Sequence, residues 1–331
     1  MSRKISSTRQ SWPIRGRFAI SRGSRTEAVV IVCEITDQDS AGNQVIGRGE
    51  CVPYAHYGET VESVLQQLNN ISPMLSSGFG RTELQSLLPA GAARNAVDCA
   101  LWDLEAKQTS TSVADQICQT SPISLETAYT ISIDTPDAMA EACRNAARPL
   151  LKVKVGSKND ADRIRAIANA VPESRIILDA NEGWREDNIT ENLEAAARAG
   201  IALIEQPLPA GQDEMLQNLP HHVPICADES AHVTTDLENL VGLYDVINIK
   251  LDKTGGLTEA IKMRNTARDL GFGLMIGCMV STSLSMAPAV LLAQGAEFVD
   301  LDGPLLLEKD CPNGLIYEGS LVFPPITELW G

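Results

Sequence analysis

From residue 125 onward, short apolar runs alternate with longer stretches whose apolar residues recur every three or four positions. The runs at 128–132, 150–155, 176–179, 202–205, 225–228, 246–250, 273–276 and 298–301 read as eight strands, and the stretches between them as amphipathic helices. This alternation predicts a parallel β/α barrel. It ends near residue 305, after only about 180 residues, which is short for eight strands and eight full helices. The last helix is therefore expected to be missing or replaced. The first ~115 residues have a different pattern. AVVIVCEITD and IGRGECVPY read as an antiparallel pair around a glycine-containing turn, and TVESVLQQLNNISPML has helical spacing. In AGAARNAVDCALWDLEAK, Ala93, Ala96, Val97, Ala100, Leu101 and Leu104 share one helix face. The expected division is an α+β domain over 1–118, a barrel over 119–305, and a turn-rich tail over 306–331 that returns to the first domain.

Composition narrows the class. The chain has 331 residues, 44% of them hydrophobic, and no run long enough for a membrane span. Its formal charge of −16 argues against nucleic acid as a partner. The N-terminal MSRKISSTRQ lacks the apolar stretch of a secretory signal, so a cytoplasmic protein with no membrane partner is expected. Eight scattered cysteines without a C-x-x-C pair are expected to be reduced and mostly buried.

The strand ends carry the chemistry. Lys154, Asp179, Glu205, Asp228 and Lys250 follow one another at steps of 25, 26, 23 and 22 residues, about one strand plus one helix each. Strand C-termini are where barrel enzymes hold their catalytic groups. Asp179, Glu205 and Asp228 on adjacent strands would repel one another unless a cation joined them, and an all-oxygen donor set favours Mg²⁺ over zinc. Taken singly, each acid also suits a helix N-cap. Lys152 and Lys154, two apart, point to the same side of a strand. Inside a barrel, burial and mutual repulsion would favour the neutral amine of one of them, a general base; on an exposed edge the same pair would simply be solvated. Lys250 lies on the sixth strand, across the ring from the second, so Lys154 and Lys250 flank a substrate from opposite faces. That arrangement suits α-proton transfer with inversion, and with a leaving group it would suit elimination. Lys253 falls past the strand end and is a weaker base candidate. Asn181, Glu182 and Glu229 neighbour the ligands as supporting residues. Asp300 and Asp302 in FVDLDGP suit an ammonium group if they face the site, or a solvated turn if they do not.

The set LKVKVG, LDANEGW, IEQPLP, CADES, NIKLDKTGGLTEA and DLDGP, with PAGAARNAVDCALWDL upstream, resembles the enolase superfamily and its dipeptide epimerases over nearly the whole chain. The resemblance implies a (β/α)7β modified TIM barrel under an α+β capping domain, which agrees with the missing eighth helix. It implies Mg²⁺ on Asp179, Glu205 and Asp228, with Lys154 and Lys250 as the acid/base pair and Lys152 neutralising the enolate oxygens. It also implies Asp300 and Asp302 on the α-ammonium of a small Ala-Glu type dipeptide, as in the use of murein peptides. The capping loop SRGSRTEA, through Arg25 or Arg22, would read the glutamate carboxylate. Cys278, Met279 and Val280 would offer backbone N–H groups. Other dipeptides, o-succinylbenzoate synthesis and N-succinylamino acid racemisation stay open as alternatives. Homo-oligomers are a habit of the family, although no segment specifies an interface.

Overall fold

In the computed structural model, which describes residues 3–331, the chain opens with an antiparallel sheet of β1 (Lys4–Ile20), β2 (Gly23–Gln38) and β3 (Gln44–Cys51). The sequence pattern assigns no strand before residue 28, yet β1 pairs with β2 from Lys4↔Thr36 to Ile20↔Gly23. The physical reason is position. β1 is an edge strand, solvent-exposed or half-buried over most of its length, so its side chains need not alternate in polarity. The sheet is followed by α1 (Val61–Ser76), capped by Thr60 accepting from Ser63 N, then α2 (Arg81–Leu87) and α3 (Ala92–Thr109).

Helix α3 lies against β3 at backbone contact. A Cβ on Gly47 would sit 2.1 Å from Ala100 O, and one on Gly49 would sit 2.1 Å from Ala96 O. The obstacles are carbonyl oxygens of a buried helix, which cannot rotate away. Gly49→Ala is therefore expected to cost about 3 kcal/mol or more of stability, read from the urea midpoint. An unchanged midpoint would show that the helix can retreat.

After α4 (Val113–Ile117) and β4 (Leu125–Glu126) comes the barrel. Its strands are β5 (Tyr129–Ile131), β6 (Leu150–Lys154), β7 (Arg175–Asp179), β8 (Leu203–Glu205), β9 (Ile225–Ala227), β10 (Val246–Ile249), β11 (Gly273–Gly277) and β12 (Phe298–Asp300), parallel and in consecutive order. A bond from Ala128 N to Val299 O (2.8 Å) joins the last strand to the first. The connecting helices are α5 (Pro136–Ala146), α6 (Asp160–Ala170), α7 (Ile189–Arg198), α8 (Leu251–Thr254), α9 (Leu257–Asp269) and α10 (Ser283–Leu292). No helix follows β12, where the chain enters the 3-10 turn Gly303–Leu306. Two other crossovers hold only 3-10 segments, Glu214–Asn218 and Thr234–Leu240. The shortness of the barrel region thus arises in three places, where the sequence reading expected one. The fold is a TIM barrel of the (β/α)7β kind with an N-terminal capping domain.

Strand alternation then decides what fills the barrel. Ala128, Leu150, Ile177, Leu203, Cys226, Val246, Met275 and Phe298 form one apolar cluster, a layer that seals the interior. Two positions further along, the inward residues are Thr130, Lys152, Asp179, Glu205, Asp228, Asn248 and Asp300, polar because that layer faces the mouth, with Gly277 on β11 the one exception. The tail adds β13 (Tyr317–Glu318) and β14 (Leu321–Val322) to β4. It ends on α3, where Trp330 Nε1 donates to Cys99 O (3.0 Å) and Gly331 N to Asp103 Oδ1 (2.8 Å). All eight cysteines are free. Among the described residues, no helix is long and apolar enough to cross a membrane.

Candidate active site

The strand ends meet in register. Lys154 lies beside Asp179, Asp179 beside Glu205, and Glu205 beside Cys226, two residues before Asp228. All of these charged groups are buried, as are Lys152, Lys250, Asp300 and Asp302. They satisfy one another. Lys152 Nζ reaches Asp300 Oδ2 (2.7 Å), Glu205 Oε1 (3.1 Å) and Asp179 Oδ2 (3.1 Å). Lys154 Nζ donates to Asp179 Oδ2 (2.6 Å) and Lys250 Nζ to Asp228 Oδ2 (2.6 Å). Burial of so much charge is tolerable only because it is paired.

Lys152 is not the neutral member that burial and like charge favour in the Lys152 and Lys154 pair. Burial does oppose the charge on Lys152, but Asp300, Glu205, Asp179 and Asp228 outweigh it and hold its pKa well above the usual lysine range. Lys250 is likewise held up, because Asp228 overcomes the burial penalty. The acids are pulled apart. Burial disfavours the charge of Asp179, yet Lys154 and Lys152 keep its pKa below the ordinary carboxylate range. Asp228 is held well below that range, against burial, by Lys250 and Lys253. Glu205 is pushed up to about 8 by burial, reinforced by the charge of Asp179.

Three further residues belong to this cluster, and two of them, Asn248 and Gln206, were not singled out from the sequence. Lys253 is buried, with its Nζ 2.6 Å from Asp228 Oδ1 and 2.9 Å from Asn248 O. Burial outweighs Asp228 there and lowers its pKa. It stands on α8, past the strand end, which is why the sequence ranks it below Lys154 and Lys250. Asn248 Nδ2 donates to Glu205 Oε1 (2.8 Å). It lies two positions before Lys250 on the inward face, and the same alternation argument would have found it. A Cβ on Gly277 would meet the Asn248 carboxamide at 2.7 Å, so glycine there leaves room for it. Gln206, at a left-handed φ of 36°, accepts from Asp228 N (2.8 Å) and Ser230 N (3.1 Å) and shapes the ligand loop. Of the supporting residues named from sequence, Asn181 N donates to Asp179 Oδ1 (2.9 Å) and Asn181 Nδ2 to Glu229 Oε1 (3.3 Å).

The donor chemistry suits a hard divalent cation. Asp179, Glu205 and Asp228 offer carboxylate oxygens only, and Glu205 Oε2 is buried without a hydrogen bond, although Lys152 Nζ lies 2.8 Å away. Among the described residues no three acids, histidines or cysteines lie together so as to hold a metal ion as they stand. The ammonium groups of Lys152, Lys154, Lys250 and Lys253 lie on the oxygens of these three carboxylates.

A pocket of about 470 Å³ opens over this cluster between barrel and cap. Lys152, Lys154, Asn181, Asp228, Glu229, Lys250, Asp300 and Asp302 line its barrel side. Cys278, Met279 and Val280 line one wall, and Arg22, Arg25, Tyr54 and Tyr57 approach from the capping side. Asp179 and Glu205 lie beneath the lining. Residues 137–310 match the family described as Enolase C-terminal domain-like, and residues 2–117 match the Mandelate racemase / muconate lactonizing enzyme, N-terminal domain. The chain belongs to the enolase superfamily.

Within the superfamily its relatives are isomerases. It is 46% identical to the L-Ala-D/L-Glu epimerase of Escherichia coli (strain K12), over 92% of this chain and 95% of that one. It is 48% identical to an N-acetyl-D-glutamate racemase of Pseudoalteromonas sp, over 88% and 93%. Among solved structures, an enolase family member from Agrobacterium tumefaciens with homology to dipeptide epimerases superposes with a TM-score of 0.96 at 55% identity, covering 99% of this chain and 100% of that one. That protein holds sodium and L-Ala-L-Glu. A dipeptide epimerase from Enterococcus faecalis V583 complexed with Mg and L-Leu-L-Tyr superposes at 0.89 with 28% identity, over 98% and 97%. This enolase-superfamily chain is accordingly an isomerase of the epimerase and racemase class.

Proposed function

We propose that the chain is a dipeptide epimerase of L-Ala-D/L-Glu type in murein peptide metabolism, inverting the α-carbon of the second residue. The observation that carries this reading is one pocket with Lys154 and Lys250 on opposite strands of the ring, β6 and the end of β10, over three buried carboxylates. One lysine takes the α-proton from one face, and the other delivers a proton to the opposite face. One Nζ gains the proton that the other loses, so composition is unchanged and only configuration inverts. Lys152, kept charged by the acids around it, opposes the negative charge that develops on the substrate carboxylate. In this reading Mg²⁺ is held by Asp179, Glu205 and Asp228, and when bound it supplies further positive charge to that carboxylate. Asp300 Oδ1 is buried without a hydrogen bond, which suits it, with Asp302, to the free α-ammonium of the first residue. The pocket-lining segment Cys278, Met279 and Val280 is the source of backbone N–H groups for the peptide. For the glutamate carboxylate we favour Arg25, which lines the pocket with its guanidinium 5.1 Å from the Tyr54 ring centroid. Arg22 is already engaged by two carboxylates.

A second reading shares the glutamyl half. An N-acetylglutamate carries an acetyl group where the dipeptide carries an ammonium-bearing alanyl group. Asp302 favours it, because burial and the charge of Asp300 raise its pKa to about 7, so a good fraction is neutral and can donate to an acyl oxygen. The test is deuterium incorporation from D₂O with Mg²⁺ present, across a dipeptide library that includes N-acetylglutamate. The first reading expects L-Ala-L-Glu to lead, and a clear lead for N-acetylglutamate would replace it with the second. Arg25→Ala is expected to cost glutamyl substrates about 10- to 100-fold in kcat/KM, while sparing an alanyl dipeptide with an apolar second residue. Equal losses on both would sink the Arg25 assignment.

A further inference from the structure

Arg22 was a candidate reader of the substrate, yet its contacts point elsewhere. It sits at the tip of the β1–β2 hairpin, between Ile20 and Gly23. Its guanidinium donates to Asn181 O (2.9 Å), Glu182 Oε2 (2.9 Å), Glu229 Oε1 (2.7 Å) and Tyr54 OH (3.3 Å). Asn181 and Glu182 belong to the loop after β7, and Glu229 to the loop after β9. Asp179 ends β7 directly before the first loop, and Asp228 opens the second. Tyr54 belongs to the cap, and its ring is the surface on which Arg25 packs. One side chain therefore ties the hairpin tip to both carboxylate loops and to the platform under Arg25.

The seat for the tip is shaped independently. Ser21 Oγ donates to Asn181 O (3.1 Å). A Cβ on Gly156 would lie 3.1 Å from Ser21 Cβ and 2.3 Å from Ala180 O, and one on Gly183 would lie 2.4 Å from Gly156 Cα. The two glycines let the loops close up under the hairpin. Asp160 braces them from below, accepting from Gly156 N (2.7 Å) and Trp184 Nε1 (2.8 Å). On the cap side, His56 Nε2 lies 2.8 Å from the same Glu182 oxygen. Nearer its base the hairpin is stitched to the barrel by Ala19 N donating to Ser132 Oγ (3.1 Å) and Ile133 N to Ala19 O (3.2 Å).

We propose that Arg22 is a positioning residue that clamps the β1–β2 hairpin across the barrel mouth, so that Arg25 is presented over the lysine pair. A network with several part-buried, charge-assisted bonds holds geometry in a way an isolated surface pair does not. Arg22 acts through Tyr54, Glu182 and Glu229 and makes no contact with the reacting atoms.

The experiment compares hydrogen exchange of the amides in 18–27 in the substrate-free protein, for wild type, Arg22→Ala, Arg22→Lys and Glu182→Gln. Arg22→Ala is expected to speed exchange there about tenfold or more, with Arg22→Lys and Glu182→Gln intermediate, because each keeps part of the clamp. If the alanine variant does not fold, the two milder variants carry the comparison. The kinetic arm rests on the dipeptide reading. There Arg22→Ala should raise KM about tenfold with kcat within about twofold, and lysine should recover part of it. Unchanged exchange in the hairpin would overturn the proposal. So would unchanged exchange together with a loss confined to glutamyl substrates, which would make Arg22 a direct reader of the side chain. Because the exchange arm contains no substrate, its result stands whether or not the dipeptide reading does.

Discussion

Lys250→Ala and Lys154→Ala are each expected to lower the rate of epimerisation by about 10³-fold or more, and to do so asymmetrically. With one base on each face, the α-proton of one epimer is within reach of only one lysine. Each single variant should therefore still exchange that proton with D₂O in one epimer and lose exchange in the other. The two variants should show opposite preferences, and neither should invert the centre. Lys152→Ala is expected to behave differently. Its Nζ touches Asp179, Glu205 and Asp300 rather than flanking the pocket from one side. Exchange of both epimers should fall together. Proton NMR of the L- and D-glutamyl dipeptides in D₂O reads all three variants. Residual exchange of both epimers in Lys154→Ala and in Lys250→Ala would end the two-base mechanism.

Removal of divalent cations is expected to abolish turnover and to lower the melting temperature, with Mg²⁺ restoring both. A ligand that binds only the folded chain stabilises it by about 2.7 kcal/mol at a hundredfold excess over its Kd, so the shift is measurable. Glu205 offers the sharpest control. Even with Lys152 Nζ 2.8 Å from its Oε2, burial beside Asp179 pushes its pKa to about 8. Without added positive charge this carboxylate is poorly accommodated, so Glu205→Gln should keep the apo protein folded while losing the Mg²⁺-dependent thermal shift. Full activity after exhaustive chelation would dismiss the cofactor. A thermal shift that survives in Glu205→Gln would move the cation away from this carboxylate.

The barrel and its ring of charged strand ends were legible because both follow from local periodicity. A parallel strand contributes one inward residue every second position, and successive strands of a ring end in the same plane, so equal spacing in sequence becomes adjacency in space. Lys152, Lys154, Asp179, Glu205, Asp228 and Lys250 were all found that way, and Asn248 was within reach of the same rule. The long edge strand β1 was not legible, since an exposed strand carries no alternation. Nor were the two crossovers shortened to 3-10 turns, whose spacing matches a helical one.

Sequence by itself thus determined the barrel, the identity of the buried carboxylates and lysines, and which of them share a face. Tertiary structure alone decided their state and their company. It surrounded Lys152 with four acids that hold its charge, and it brought Lys253 from a helix onto Asp228. It also separated Arg22 from Arg25, three positions apart in one hairpin, one turned to barrel carboxylates and the other to the Tyr54 ring. Charge balance and partner choice depend on distances between residues far apart in the chain, which no local pattern encodes.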